Sequence, residues 1–307
     1  VDDLDALRRI ERELERQGYL RRQRGKLELT PKAVRRLGET ALRRVFASLD
    51  AGRRGDHDQV DAGSAGELTG SSRPWRFGDE QPIDVVRTVV NGVRRGGAAG
   101  TVTLSVDDFE VAETERRTAA AVCLLVDLSY SMALRGTWAA AKQTAMALQA
   151  LVASKFPQDS VQIVGFSNYA RVLQPDELAG LEWDMVQGTN LHHALLIAGR
   201  HLDRHPDFEP VVLVVTDGEP TAHLRRNGSA AFEWPPTRET LDLTLAEVDK
   251  MTRRRATLNV FMLADDERLK DFVNEVARRN GGRVFSSNAD RLGEYVVSDF
   301  LRTRRKR

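Results

Sequence analysis

The chain has 307 residues, with 46 Lys and Arg against 45 Asp and Glu for a net charge of +1, 41% hydrophobic and 30% charged residues, and one cysteine. That length supports one large or two modest domains with a buried core, and the near balance of charge excludes a strongly basic, nucleic-acid-steering surface or a strongly acidic one. A single cysteine excludes an internal disulfide framework, no apolar run approaches the ~20 residues of a membrane helix, and nothing resembles a signal peptide, so a cytoplasmic location is the default expectation.

Leu4, Leu7, Ile10 and Leu14, separated by Arg and Glu, predict an opening amphipathic helix that leads to Tyr19-Leu20. Residues 21–29 read as a polar turn and strand, and Thr30-Pro31 as the cap and first position of a second helix through Val34, Leu37, Ala41 and Val45. Gly18-Tyr19-Leu20 together with Leu27-Glu28-Leu29-Thr30-Pro31-Lys32-Ala33 resembles the closing part of a winged-helix unit, although no recognition helix precedes it. Residues 1–50 are therefore set apart as a small helical, winged-helix-like segment, with DNA binding, an interaction or dimerisation module and a structural hairpin all open. Val1 is not a Met and the opening is already helical in pattern, so an upstream segment is expected.

Residues 51–74, rich in Gly, Ser, Asp and Arg, read as a linker. In 75–117 the aromatics of Trp75-Arg76-Phe77-Gly78 precede a helix bearing Val85, Val86, Val89, Val90 and Val93 and broken at Gly96-Gly97. Short strands follow at 102–105 and 109–112, and this accessory piece is expected to pack on the main domain's edge. From 118 to 307 strands and helices alternate, which predicts an α/β fold: a doubly wound, mostly parallel sheet flanked by helices. The strands fall at 121–126, 161–166, 171–173 (an edge), 211–215, 258–263 and 284–285. The helices carry Trp138, Ala141, Ala145, Leu148 and Val152, then span 191–202, 238–254, 267–279 and 291–301. Cys123, inside the first of these strands, reads as a small buried hydrophobe. The basic tail 302–307 is a solvated end or a surface for an acidic partner.

The strand at 121–126 ends in Asp127-Leu128-Ser129-Tyr130-Ser131, and the one at 211–215 in Thr216-Asp217-Gly218. Ligands of open α/β sheets bind outside the carboxyl ends of the strands, and hard oxygen donors there suit Mg²⁺ at ~2.1 Å. Gly188-Thr189-Asn190 forms a turn before the helix that carries Leu191, Ala194, Leu195 and Ala198. Asp-x-Ser-x-Ser, a loop Thr and a strand-end Asp-Gly, in that order, resemble the von Willebrand factor A domain with its metal-ion-dependent adhesion site. The resemblance implies that Ser129, Ser131 and Thr189 offer hydroxyls to the metal, with Asp127 and Asp217 holding it directly or through water. Mg²⁺ is the expected ion, with Mn²⁺ or Ca²⁺ as substitutes.

Thr216-Asp217-Gly218-Glu219-Pro220-Thr221-Ala222-His223, Trp234-Pro235-Pro236 and Gly293-Glu294-Tyr295-Val296 are similar to the bacterial cytoplasmic members that accompany MoxR-type or magnesium-chelatase-like AAA+ ATPases. That resemblance implies an adaptor, in which a partner Asp or Glu completes the metal's shell, with Tyr130, Met132, Asn190, Glu219, His223 and Trp234 as its rim. An enzyme is not expected. No phosphate-loop motif occurs, Gly165-Phe166-Ser167-Asn168-Tyr169 lacks the second glycine of a nucleophile elbow, and Ser129 stands where an aspartyl-phosphate phosphatase of the haloacid dehalogenase type carries its second Asp. The rival readings are a winged-helix nucleic-acid binder and a metal-dependent phosphohydrolase. His192, His193, His201 and His205 read as surface or capping residues, with zinc or a partner contact as the alternatives.

Overall fold

The structure is a computed structural model that describes residues 2–23, 26–53, 72–76, 83–97, 103–112, 119–181 and 185–305. Its elements in chain order are α1 (Asp2–Arg16), β1 (Leu20–Gln23), β2 (Lys26–Leu29), α2 (Pro31–Arg53), β3 (Ser72–Pro74), α3 (Val85–Gly96), β4 (Glu110–Ala112), β5 (Ala120–Asp127), α4 (Tyr130–Leu134), α5 (Trp138–Lys155) and β6 (Ser160–Phe166). There follow β7 (Ala170–Leu173), α6 (Pro175–Gly180), α7 (Leu191–Asp203), β8 (Glu209–Thr216), β9 (Ala222–Leu224), β10 (Ala230–Phe232), α8 (Arg238–Arg253), β11 (Thr257–Met262), α9 (Glu267–Asn280), β12 (Val284–Ser286) and α10 (Leu292–Arg305). The described residues up to 53 and from 119 onward belong to one unit, and those from 72 to 112 to a second.

All eight residues of β5 are buried, as an uninterrupted apolar strand covered on both faces requires. It lies inside a six-stranded sheet of order β12-β11-β8-β5-β6-β7, parallel except for the antiparallel edge strand β7. Alternation along the strands separates two cores. Val122, Leu124, Val126, Val211, Leu213 and Val215 meet Leu148, Val297 and Phe300 on one face. Ala121, Cys123, Leu125, Val212 and Val214 meet Leu195, Val248 and Val273 on the other. Burying each large apolar side chain is worth about 1.5–3 kcal/mol, so these layers hold the sheet rigid. The chain leaves β5 toward β6 on one side and returns to β8 on the other, which makes the carboxyl ends of β5 and β8 a switch point where a crevice opens.

The front of the chain is part of the same unit, and α2 runs to Arg53, past the expected boundary at 50. Ala33, Ala41 and Val45 of α2 are buried. A Cβ on Gly38 would stand 3.2 Å from Ala150 Cβ, and one on Gly293 would stand 2.6 Å from Val45 Cγ2, so two glycines let α2 lie close against α5 and α10. β1 and β2 form an antiparallel hairpin with Leu20 opposite Leu29. At the other end Arg304, expected in a solvated or partner-facing tail, instead has its side chain buried, where it pairs with Asp159 (2.8 Å) and Glu209 (3.7 Å). Residues 306–307 of that tail lie outside the described residues, as do 54–71 of the expected linker and Phe77-Gly78.

In the second unit β3 and β4 pair antiparallel. Asp84 caps α3 by accepting the Arg87 N–H, and the helix ends at Gly97 with φ 80°, a conformation that favours glycine. The strand expected at 102–105 is not one among its described residues, 103–105. There Ser105 turns into a 3-10 segment, Val106–Asp108, and Asp108 is clamped by Arg95 through Nε–Oδ1 (3.1 Å) and Nη2–Oδ2 (2.8 Å). An aspartate that can bridge a turn and an arginine outcompetes the weak strand alternation of this stretch.

His201 of α7 is buried, with its ring 4.6 Å from that of His205 and Nε2 3.4 Å from Ser160 Oγ. Burial, helped by His205, lowers its pKa from 6.5 to about 4. The unfolded chain therefore binds a proton that the folded one rejects, so stability falls as pH drops from about 6.5 to about 4. Urea titrations across that window are expected to show a shallower acid slope for His201→Gln than for wild type; identical slopes would refute the assignment.

Candidate metal centre

Asp127 ends β5 with its carboxylate fully buried. Oδ1 accepts the Ser129 N–H (2.9 Å) and Oδ2 accepts the Thr216 hydroxyl (2.6 Å), which ties the ends of β5 and β8 together. The first of these bonds turns the chain so that Ser129 stands immediately before the one-turn helix α4. Ser129 Oγ and Ser131 Oγ lie 3.0 Å apart, and Ser131 Oγ donates to Asp217 Oδ1 at 2.8 Å. The third segment is locked from its backbone: Thr189 N donates to Thr221 Oγ1 (2.9 Å) and Thr189 O accepts the Thr221 N–H (3.1 Å). Gly188, at φ 106° and with the Asn168 Cα 3.3 Å from where a Cβ would be, makes that approach possible.

Ser129, Ser131, Thr189 and Asp217 thus line one cleft of about 380 Å³, with Arg135, Glu219 and Trp234 among its walls. Asp127 lies beneath, acting through Ser129 and Thr216. Burial raises the proton affinity of both aspartates, and at Asp127 the Asp217 charge adds to it. Asp217 Oδ2 is buried and receives no hydrogen bond; Arg135 Nε stands 3.5 Å away. Three hydroxyls and two carboxylates, one of them with an under-satisfied oxygen, are a donor set that fits a hard divalent cation, and they do not fit a thiolate- or imidazole-seeking one.

The rim is only partly as expected. Tyr130, Glu219 and Trp234 line the cleft. Met132 does not: the single turn of α4 points it into the core, fully buried. Asn190 is also fully buried, because its side chain caps α7 by accepting the His193 N–H and donates to Asn168 O. His223 is buried against Thr240, with Nδ1 2.9 Å from its hydroxyl. His192 and His193 serve the backbone rather than the surface: His192 Nδ1 accepts the Leu224 N–H and His193 Nδ1 the Ala170 N–H. Among the described residues no three or more of His, Cys, Asp and Glu are grouped to hold a metal, so the zinc alternative has no geometric support. Arg135, Thr221 and Phe232 also line the cleft; the sequence places them inside the loops 130–135 and 219–234 expected around the site without singling them out. Only Arg135 carried a signal, since it stands four residues after Ser131 on what proves to be a helical turn.

The family model for the vWA domain of the Rv0959-like protein matches residues 120–301, more than half of the chain. The chain belongs to this Rv0959-like vWA family. A second model, the third domain of the same protein, matches residues 67–114, which span the described residues of the second unit. The chain is 50% identical over 311 residues to uncharacterized protein Rv0959 of Mycobacterium tuberculosis H37Rv and to Mb0984 of Mycobacterium bovis. Each alignment covers 99% of this chain and 46% of the relative. The chain thus spans about half the length of the curated relatives it matches. Among solved structures, the D319A mutant of the PilB minor pilin from Streptococcus sanguinis shares the fold at a TM-score of 0.50 and 13% identity, over 64% of each chain. The mostly parallel, helix-flanked sheet and the family agree on an α/β vWA fold. No helix among the described residues is long and apolar enough to cross a membrane.

Proposed function

We propose that this chain is a divalent-cation-dependent protein-interaction adaptor whose cleft captures a carboxylate from a partner protein. The observation that carries the reading is the convergence of Ser129, Ser131, Thr189 and the under-satisfied Asp217 on one cleft at the sheet's switch point, with Asp127 fixing the geometry from below. Mg²⁺ is the cation whose ligand preferences fit best, and when bound it would supply a positive centre with a position left for an external oxygen. Hydroxyls bring no formal charge, so such a centre stays attractive to an Asp or Glu. Tyr130, Phe232 and Trp234 supply the apolar border that shields a central ionic contact from water. The partner implied by the resemblance is a MoxR-type AAA+ ATPase, and a cytoplasmic setting belongs to the same proposal.

Thr189→Val is expected to lower partner affinity by ~10-fold or more while the melting temperature changes little, because the substitution keeps the shape and both backbone bonds to Thr221 and removes only a hydroxyl. The measurement is a pull-down or biolayer assay with the ATPase in Mg²⁺, in excess chelator, and in chelator followed by Mg²⁺. A complex of unchanged affinity in chelator rejects the metal-dependent reading.

A further inference from the structure

The walls of the cleft carry a charge that the metal-site residues do not explain. Arg135 leaves the C-terminal end of α4, where its own N–H accepts no role in the cleft and instead bonds to Ser131 O (2.9 Å). Its side chain, about half exposed, extends to Asp217: Nε is 3.5 Å from Oδ2 and Nη1 is 3.5 Å from the Asp217 carbonyl oxygen. Oδ2 is the buried oxygen to which no hydrogen bond is made. Asp217 is thus shared between the Ser131 hydroxyl on one oxygen and a permanent guanidinium charge on the other.

We infer that Arg135 makes cation and carboxylate binding depend on one another at this cleft, by competing with the divalent ion for Asp217 and by attracting the incoming carboxylate. This rests on the proposed divalent site and adds its regulation. Repulsion between a single and a double positive charge that share one carboxylate, even screened as in water, is on the order of tenfold in an equilibrium constant. An external carboxylate relieves that repulsion because it is attracted by both positive charges. By linkage, the cation must then raise the affinity for the carboxylate by the factor by which the carboxylate raises the affinity for the cation. The adaptor would hold its cation weakly when alone and firmly when engaged.

The test is calorimetric titration of Mn²⁺ into chelator-treated wild type, Arg135→Gln and Arg135→Lys, with unfolding curves recorded for each protein before the metal is added. Arg135→Gln is expected to bind Mn²⁺ about tenfold more tightly than wild type, while Arg135→Lys stays close to wild type because it keeps the charge. Binding by Arg135→Gln with no detectable binding by wild type would support the same conclusion more strongly. Equal or weaker binding by a folded Arg135→Gln overturns the inference and leaves the divalent site standing. No binding by any of the three overturns the divalent site itself and the inference with it. Should Arg135→Gln fail to fold, Arg135→Met, which keeps the side-chain stem and removes only the charge, stands in for it: about tenfold tighter Mn²⁺ binding than wild type supports the inference, and equal or weaker binding by the folded variant overturns it.

Discussion

Asp217→Ala is expected to reduce Mg²⁺ or Mn²⁺ affinity by ~100-fold or more while leaving the protein folded, and Asp127→Asn to reduce it while also destabilising the fold. The difference follows from what each carboxylate touches. Asp217 accepts one side-chain hydrogen bond, from Ser131, and its other oxygen faces only Arg135 at ion-pair distance. Removing it deletes an anionic donor from the cleft floor and leaves two partly exposed side chains that water can serve. Asp127 accepts a backbone N–H from Ser129 and a hydroxyl from Thr216, both buried. An asparagine can accept at only one of those positions, and the donor left facing its NH₂ costs about 1–3 kcal/mol. Metal titration with thermal melts of wild type and the two variants checks both halves. Equal metal affinity in wild type and Asp217→Ala sinks the site, and an Asp127→Asn protein as stable as wild type sinks the structural role given to Asp127.

The parts of this molecule that were legible in its sequence are those decided locally. The run around Cys123 is apolar without alternation, so a strand buried on both faces was the reading its residues allowed, and β5 is that strand. The two strand-end aspartates, the paired serines and the loop threonine are likewise a linear pattern, and they meet in the fold because parallel strands place their carboxyl ends together. What could not be read depends on contacts distant in sequence. Met132 stands between cleft residues in the chain, and only the turn of α4 sends it into the core while Ser131 and Arg135 face the cleft. Asn190 and His223 looked like loop polar groups, but each is bonded to a residue distant in the chain, the Asn168 carbonyl and the Thr240 hydroxyl respectively. The docking of α2 on α5 rests on Gly38 and Ala150, 112 positions apart, where small side chains signal nothing until both helices are placed. The hairpin of β9 and β10 has three residues per strand, too short for alternation to register.

Gly282→Ala is expected to be among the most destabilising single-methyl additions in the chain, by about 3 kcal/mol or more, although it lies at the sheet's far edge from the candidate metal centre. Its neighbour supplies the control. Gly281 ends α9 at φ 73°, with open space around a would-be Cβ, so Gly281→Ala meets only the conformational penalty of the left-handed region, about 1 kcal/mol. At Gly282 an added Cβ would stand 1.7 Å from Leu258 O and 2.7 Å from Leu258 C. Those are backbone atoms of β11, which is paired on both edges, with β8 and β12, and cannot rotate aside as a side chain could. The turn cannot retreat either. Asn280 Oδ1 accepts the Leu258 N–H, Arg283 N donates to Asn259 Oδ1, and Val260 N donates to Arg283 O, so residues on both sides of Gly282 are bonded to the strand it would strike. Asn259 is itself buried and bonded to Asp299 of α10, which spreads any shift into the helix layer. At ~2–4 °C per kcal/mol for a domain of this size, the melting temperature should fall by ~6–12 °C for Gly282→Ala and by ~2–4 °C for Gly281→Ala. Differential scanning calorimetry of the two variants decides it, and a Gly282→Ala protein that melts no lower than Gly281→Ala would show that the turn has room that its bonding to β11 denies.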